Sequence, residues 1–426
     1  ALQPADKNPQ PLPEYQSPPP PADWAKPEFD DSSWDRQRGA VELPAGGATG
    51  HSQAARHTAT PNSLICLRGK FQVEDPAKVQ DLKLSLEYVG GAVVYVNGQE
   101  LTRANLPAGG LKPDTLAEKY PDDLLCAPDG AYMQDSKKNA AGFALRFRPL
   151  ADVAIPSKLL RKGANVLAVE LHRAPLNEAA VAAKRTAWPG DGMYTVPGMW
   201  PTVGLKSLAL GSASGSGVLA NVLRPKGVQV WNVAPYSTVN AFDYGDPGDP
   251  LPIKVAAARN GVFSGRLIVS SDQPIKGLKV AVSELKLAGG GASLPSTAVR
   301  VRYAEAAVPE KCWTPVERFN GLPDAIPAEI PVIAARGVKN VNPANAGAVA
   351  SLWFTVRVPK DGKAGAYEGA VTVQAEGLKE TAVPLRLAVS EWVLPDPKDF
   401  RQHHLIFLSQ EAVAKHYGVP LWSEKH

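Results

Sequence analysis

The sequence predicts an all-β chain: two tandem antiparallel β-sandwiches, the first of jelly-roll type and the second immunoglobulin-like, with one strand and one helix of α/β type at the end. Three observations carry this expectation. Apolar residues recur at every second position in many short stretches, the signature of half-buried strands. Proline and glycine are plentiful, at 40 and 37 of 426 residues, which favours short strands joined by turns. Helical periodicity is scarce until the C-terminal end.

Residues 1–22 contain Pro9, Pro11, Pro13 and the run Pro18 to Pro21. Consecutive prolines fix φ and remove donors, so this stretch is expected to be an extended, polyproline-II-like arm. A first domain spans residues 23–210. Leu82, Leu84, Leu86 and Tyr88 alternate with polar residues, and Ala92 to Val96 forms a second strand. Asn97-Gly98 follows it, and that pair favours the positive φ of a two-residue hairpin turn. Phe143, Leu145 and Phe147 alternate next, then Leu167, Val169 and Leu171. The small polar run GSASGSG, residues 211–217, is expected to be a linker.

A second sandwich spans residues 218–392. Its strand runs are Leu278 to Val282, Leu352 to Val358, Val371 to Val373 and Val383 to Val389. Lys360-Asp361-Gly362 and Glu376-Gly377 mark turns between them. Residues 393–426 change character. His404 to Leu408 is a short apolar run, and Gln410 to Tyr417 is helical up to Gly418. A strand followed by a helix opens an α/β fold, and alone it cannot bury both faces.

Composition excludes several function classes. The net charge is +4 with basic residues spread along the chain, so no nucleic-acid groove is expected. No apolar run approaches the ~20 residues of a membrane span. Ala1 and the polar Pro-rich stretch fit a mature N-terminus after signal removal, hence a secreted, periplasmic or cell-surface location, although a trimmed chain would look the same. Cys66, Cys126 and Cys312 lack zinc-site spacing. Cys66 and Cys126 are either a disulfide within the first domain or separate thiols.

Three passages carry a family resemblance. Asp23-Trp24 with Phe29-Asp30-Asp31-Ser32-Ser33-Trp34 resembles the start of the galactose-binding-like jelly rolls that precede many glycoside hydrolase barrels. Gly163 to Val169 (GANVLAV) is similar to their penultimate strand, and Gly198 to Leu205 (GMWPTVGL) to their closing strand. Leu352 to Pro359 with Gly365-Ala366-Tyr367-Glu368-Gly369 resembles the sandwich before the barrel in family 123 of the glycoside hydrolases, and Gly418 to His426 the segment entering such a barrel. The resemblance implies a secreted multidomain protein acting on N-acetylated or related glycans. Residues 393–426 would then start a truncated (β/α)8 barrel whose catalytic acids lie beyond His426. No catalytic residue is carried over onto this chain.

Candidate sites are few. Trp188, Tyr194 and Trp200 cluster before the closing strand, where aromatic rings could take sugar C–H faces, beside Arg185, Asp191 or Asn177 for hydroxyls. Trp200 equally suits a packing role. Asp243, Asp246 and Asp249 share a Gly/Pro-rich turn whose clustered carboxylates suit calcium, though the same residues are ordinary turn chemistry. The resemblance adds a second structural calcium position near Asp30, Asp31 or Glu170; no other cofactor is required. Asp30 and Asp31 are adjacent and point to opposite faces, so they do not form a hydrolytic carboxylate pair. The histidines sit in no metal-ligand motif. The expected role is therefore a non-catalytic carbohydrate-binding or framing region, with a glycan and a downstream barrel as partners. The alternative is a structural or binding protein of the cell surface, with homo-oligomers or surface assemblies as its partners.

Overall fold

A strand turns successive side chains to opposite faces, so each period-2 run has one face that needs a second layer over it. The computed structural model describes residues 19–36, 41, 63–130, 140–175, 177–179, 202–219, 224–237, 239–305, 322–334, 345–399 and 410–426. Strands hold 45% of the described residues and helices 9%, which fixes the class as all-β.

The first sandwich contains β1 (Leu64–Val73), β2 (Lys83–Val89), β3 (Gly91–Val96), β4 (Gln99–Ala104), β5 (Arg148–Ala154), β6 (Gly163–His172), β7 (Gly204–Gly211) and β8 (Val218–Leu219). They form a five-stranded sheet, β4-β3-β6-β1-β8, facing a three-stranded sheet, β5-β2-β7. Leu84, Leu86 and Tyr88 of β2 meet Val94 and Val96 of β3, Leu167, Val169 and Leu171 of β6, and Phe71 and Val73 of β1 in one core. Each such side chain contributes about 1.5–3 kcal/mol when fully buried. Asn97 and Gly98 both take positive φ, 51° and 82°, and they join β3 to β4 as a two-residue turn. The Asn97 side chain donates to Asn165 Oδ1 and to the Leu159 carbonyl, each at 2.8 Å. Asn165 in turn donates to the Arg161 and Gly163 carbonyls. The asparagine of GANVLAV is thus a buried hub that ties the hairpin turn to the start of β6.

Two expectations fail in this sandwich. Phe143, Leu145 and Phe147 do not form a strand. Ala140–Ala144 is a short helix, followed by turn bonds from Leu145 N to the Gly142 carbonyl and from Phe147 N to the Ala144 carbonyl. Alanines favour helix, and β5 begins only at Arg148. The GSASGSG run is not a free linker either. Asp81 accepts hydrogen bonds from Ser212 Oγ at 2.6 Å and from Ser214 N and Oγ at 2.9 Å. The Gly217 carbonyl accepts from Glu74 N, and β8 pairs with the end of β1. The first sandwich therefore extends to Leu219.

The second sandwich contains β9 (Gln229–Asn232), β10 (Ile253–Arg259), β11 (Gly261–Ser271), β12 (Ile275–Lys276), β13 (Lys279–Val282), β14 (Leu285–Leu287), β15 (Ser293–Leu294), β16 (Val299–Glu305), β17 (Glu329–Ile330), β18 (Ala348–Val358), β19 (Gly365–Ala375) and β20 (Leu378–Val393). One sheet runs β16-β18-β11-β9 and the other β10-β20-β19-β14-β15, with β13 also on β19. Leu352, Phe354 and Val356 of β18 interdigitate with Val383, Leu385 and Leu387 of β20 and with Tyr367 and Val371 of β19. One pair departs from the antiparallel expectation: β10 lies parallel to β20. The chain leaves β10 through Asn260, at φ 60°, and continues as β11 in the opposite sheet. Gly261 permits this crossing, since a Cβ there would lie 2.5 Å from the Phe263 ring.

After β20 the chain passes Pro397–Asp399 and ends with the helix Gln410–Tyr417. Gly418, at φ 61°, closes it, and Val419 N reaches back to the Ala414 carbonyl. Ala414 is buried, while Tyr417 and Trp422 are exposed. The apolar run His404 to Leu408 and residues 1–18 of the arm lie outside the described residues. Among the described residues no helix is long and apolar enough to cross a membrane.

Two outcomes are expected. Phe354→Ala should lower the stability of the second sandwich by about 3–5 kcal/mol in urea titrations. The second concerns Asp81, whose carboxyl is held down to about 2, from 3.8, by hydrogen bonds from Ser212 and then Ser214. The unfolded chain takes up this proton first, so the stabilisation is complete above about pH 4 and is lost as pH falls towards 2. Urea midpoints across that interval should fall less steeply in Asp81→Asn than in the parent; equal slopes would contradict the assignment.

Candidate functional site

The outer face of β1 presents an arginine that cannot stay unpaired. Arg68 lies on the five-stranded sheet with its side chain 2% exposed, and a buried guanidinium must find acceptors. Residues 23–36 supply them. Arg68 Nε donates to Asp31 Oδ2 at 2.8 Å, and Nη1 donates to the carbonyls of Trp24 and Lys26. Lys70 Nζ takes the other Asp31 oxygen at 3.3 Å. Aromatic residues of the same segment then cover the sheet. Trp24 packs on Val166 and Ala168 beside Cys66 and Tyr95. Trp34 stacks on Trp24 with centroids 6.1 Å apart, and Phe29 meets Trp34 edge-on at 5.4 Å.

Glu28 pairs with Arg161 of the first sandwich at 2.8 Å, while Asp30, Asp35 and Arg36 reach the second. Asp30 pairs with Lys254 of β10 at 2.9 Å. Asp35 accepts from Ser237 Oγ. Arg36 donates to the Tyr244 carbonyl at 2.8 Å, pairs with Asp246 at 3.2 Å, and sits 4.8 Å above the Trp231 ring of β9. Burial pushes the Asp30 carboxyl up, but hydrogen bonds from Ser32 and Lys254 outweigh it and hold the group below its ordinary value. The segment from Trp24 to Arg36 is therefore a joint, with its aromatic residues, Glu28 and Asp31 on the first sandwich and Asp30, Asp35 and Arg36 on the second.

A cavity of about 390 Å³ lies along this joint, lined by Asp31, Trp34, Arg36, Arg68, Lys70, Trp231, Asn232, Asp246 and Asp249 among others. A second chamber of about 240 Å³ shares Ser32, Asn232 and Val233 with it and is also lined by Tyr236 and Lys254. The first volume lies in the range of small-ligand sites. Along it Asp31 faces Arg68 and Lys70, and Asp246 faces Arg36.

Glycoside hydrolysis by a pair of carboxyl groups needs one of them held protonated. Every described carboxylate with a shifted pKa is lowered: Glu28, Asp30, Asp81, Glu87, Glu100, Asp122, Glu170, Asp324 and Asp396.

The calcium candidates are dispersed. Asp243 is buried and accepts from Asn240 N at 2.8 Å, Asp246 pairs with Arg36, and Asp249 stands at the cavity. Asp30 and Asp31 are held by cationic side chains. Glu170 accepts from Tyr95 at 3.0 Å and lies 2.8 Å from His172 Nε2. Among the described residues no three His, Cys, Asp or Glu side chains converge on a metal position. Asn177 is buried and donates to Asp122 at 2.6 Å, so its amide serves packing. Trp188, Tyr194, Trp200, Arg185, Asp191 and Cys312 lie outside the described residues. Cys66 and Cys126 are free thiols in different clusters. Burial, reinforced by Glu170, pushes the Cys66 thiol up to about 12, so it is unreactive. Sequence reasoning missed Arg36, Arg68, Trp231 and Tyr236. The one local signal was a run of Cys66, Arg68 and Lys70 on the outward face of β1.

No family profile matches the chain and no curated protein does. Among solved structures, a family 123 glycoside hydrolase from Clostridium perfringens, described for glycolipid glycan hydrolysis, is 14% identical over 40% of this chain and 28% of that one, with a TM-score of 0.26. A β-glucuronidase of Ruminococcus gnavus is 9% identical over 78% and 37%, with a TM-score of 0.19. The CupB6 tip adhesin of Pseudomonas aeruginosa is 12% identical over 78% and 100%, also at 0.19. The chain thus spans well under two thirds of both hydrolases. At such TM-scores these likenesses carry no argument for fold or function.

Arg36→Ala should loosen the joint while leaving both sandwiches folded. It removes one partly exposed ion pair, a hydrogen bond to the Tyr244 carbonyl and one cation–π contact, together worth about 1–2 kcal/mol. Hydrogen-exchange mass spectrometry should show faster exchange at residues 239–251 and unchanged protection in β2 and β18. Unchanged exchange at 239–251 would show that Arg36 does not hold the joint.

Proposed function

We propose that this chain is the non-catalytic framing and carbohydrate-binding region of an exported, carbohydrate-active multidomain protein, with a barrel downstream of the second sandwich as its catalytic partner. One observation carries this reading. The motif that resembles hydrolase jelly rolls, Phe29 to Trp34 with its neighbours Trp24, Asp35 and Arg36, is also the joint between the sandwiches. A segment kept only to fill a jelly-roll core would not need Asp30, Asp35 and Arg36 on the second module. A framing role needs them, because two sandwiches must be held at a fixed angle to present a third domain.

Two features agree. Each described carboxylate whose pKa is displaced is displaced downward, the direction opposite to that of a general acid. The helix Gln410–Tyr417 carries exposed Tyr417 and, beyond it, exposed Trp422, as a helix awaiting neighbours would. The substrate class, N-acetylated or related glycans, rests on the motif resemblance alone.

The 426-residue chain should show no turnover above blank on chromogenic glycosides, N-acetylhexosaminides included. Turnover that disappears on substituting any acidic residue of this chain would overturn the non-catalytic assignment.

A further inference from the structure

The two chambers along the joint share Ser32, Asn232 and Val233, so they form one groove with a waist. Tyr236 lines the smaller chamber and is 72% exposed. An aromatic ring left open beside a cavity loses the benefit of burial, and nothing in the packing of β9 requires one there. In the larger chamber, Arg68 has spent Nε and Nη1 on protein acceptors, whereas Nη2 is buried with no hydrogen-bond partner. An unsatisfied buried donor costs about 1–3 kcal/mol. Asp249, exposed at the same chamber, offers acceptors.

We infer that this groove binds a neutral sugar chain, with Tyr236 as the stacking ring at one end and Arg68 and Asp249 as donor and acceptor at the other; the inference rests on the carbohydrate reading above. Charge decides against an acidic ligand. Asp31, Asp35, Asp246 and Asp249 outnumber Arg36, Arg68 and Lys70 along the larger chamber, and the three cations are already engaged by carboxylates. A uronate or sulfate would bring another negative charge to a chamber whose carboxylates already outnumber its cations. A hydroxyl both accepts and donates, so it can serve Arg68 and a neighbouring carboxylate at once. A ring's C–H face suits an aromatic platform. A chamber of about 390 Å³ is at the lower end of small-molecule sites, a size for short saccharides rather than for a folded partner.

The test is an array of neutral oligosaccharides and of uronate- and sulfate-bearing ones, probed with the full chain and with Tyr236→Ala, Tyr236→Phe and Asp249→Ala. Both positions are exposed, and thermal unfolding of each variant checks that folding is intact. The expected result is binding to neutral oligosaccharides, weakened about tenfold by Tyr236→Ala, weakened also by Asp249→Ala, and largely kept by Tyr236→Phe. Neutral glycans bound equally well by Tyr236→Ala and Asp249→Ala would place the sugar elsewhere, overturning the groove while sparing the carbohydrate reading. Binding confined to acidic glycans would likewise overturn the groove as a neutral site. No binding to any arm would overturn the carbohydrate reading, and the groove with it.

Discussion

A buried guanidinium on an open sheet face is unstable until something neutralises it, and that constraint at Arg68 organises the middle of this molecule. Its acceptors are Asp31 and the carbonyls of Trp24 and Lys26. Meeting them draws the whole segment onto the sheet. Trp24, Phe29 and Trp34 then cover Val166 and Ala168, and the residues between them are turned outward. Asp30, Asp35 and Arg36 can thereby reach Lys254, Ser237 and Asp246. Removing the arginine's need for partners would remove the reason for the segment's path. A buried pair of this kind adds little net stability compared with apolar packing; here it specifies where the segment from Trp24 to Arg36 must lie.

The parts of the fold set by local patterning were legible in the sequence. The alternation from Leu82 to Tyr88 became β2 with its apolar side in the core, and Asn97-Gly98 became the turn at its expected place. The errors arose where a distant partner decides. GSASGSG has linker composition, yet Asp81 fastens it from 131 to 133 positions away. Phe143, Leu145 and Phe147 alternate as a strand would, but Ala140–Ala144, Phe143 included, wind into a helix. Asp246 sits among neighbouring aspartates in the sequence, and the side chain it pairs with is Arg36, 210 residues away. The same separation hid the joint and its groove: motif resemblance marked Phe29 to Trp34 but could not reveal what they touch.

The second sandwich depends on a different device. β10 and β11 are consecutive yet belong to opposite sheets, with only Asn260 and Gly261 at the crossing. The parallel pairing of β10 with β20 follows from that crossing and closes an edge that would otherwise expose unpaired backbone. Lys254, the partner of Asp30, stands on β10. The strand that seals the second sheet is thus the one the joint grips, so both modules meet at a place stiffened from each side.

The joint also has an order of assembly built into it. Trp24 to Arg36 leave the ribosome long before Ser237, Asp246 and Lys254. During that interval Asp30, Asp35 and Arg36 wait in water, where charged side chains are at ease, while Trp24 and Phe29 can already settle on a first sandwich that completes by Leu219. A joint made of apolar side chains would spend the same interval as an adhesive surface open to other nascent chains. Polar contacts on the late-arriving side let the first module finish and stay soluble before the second exists.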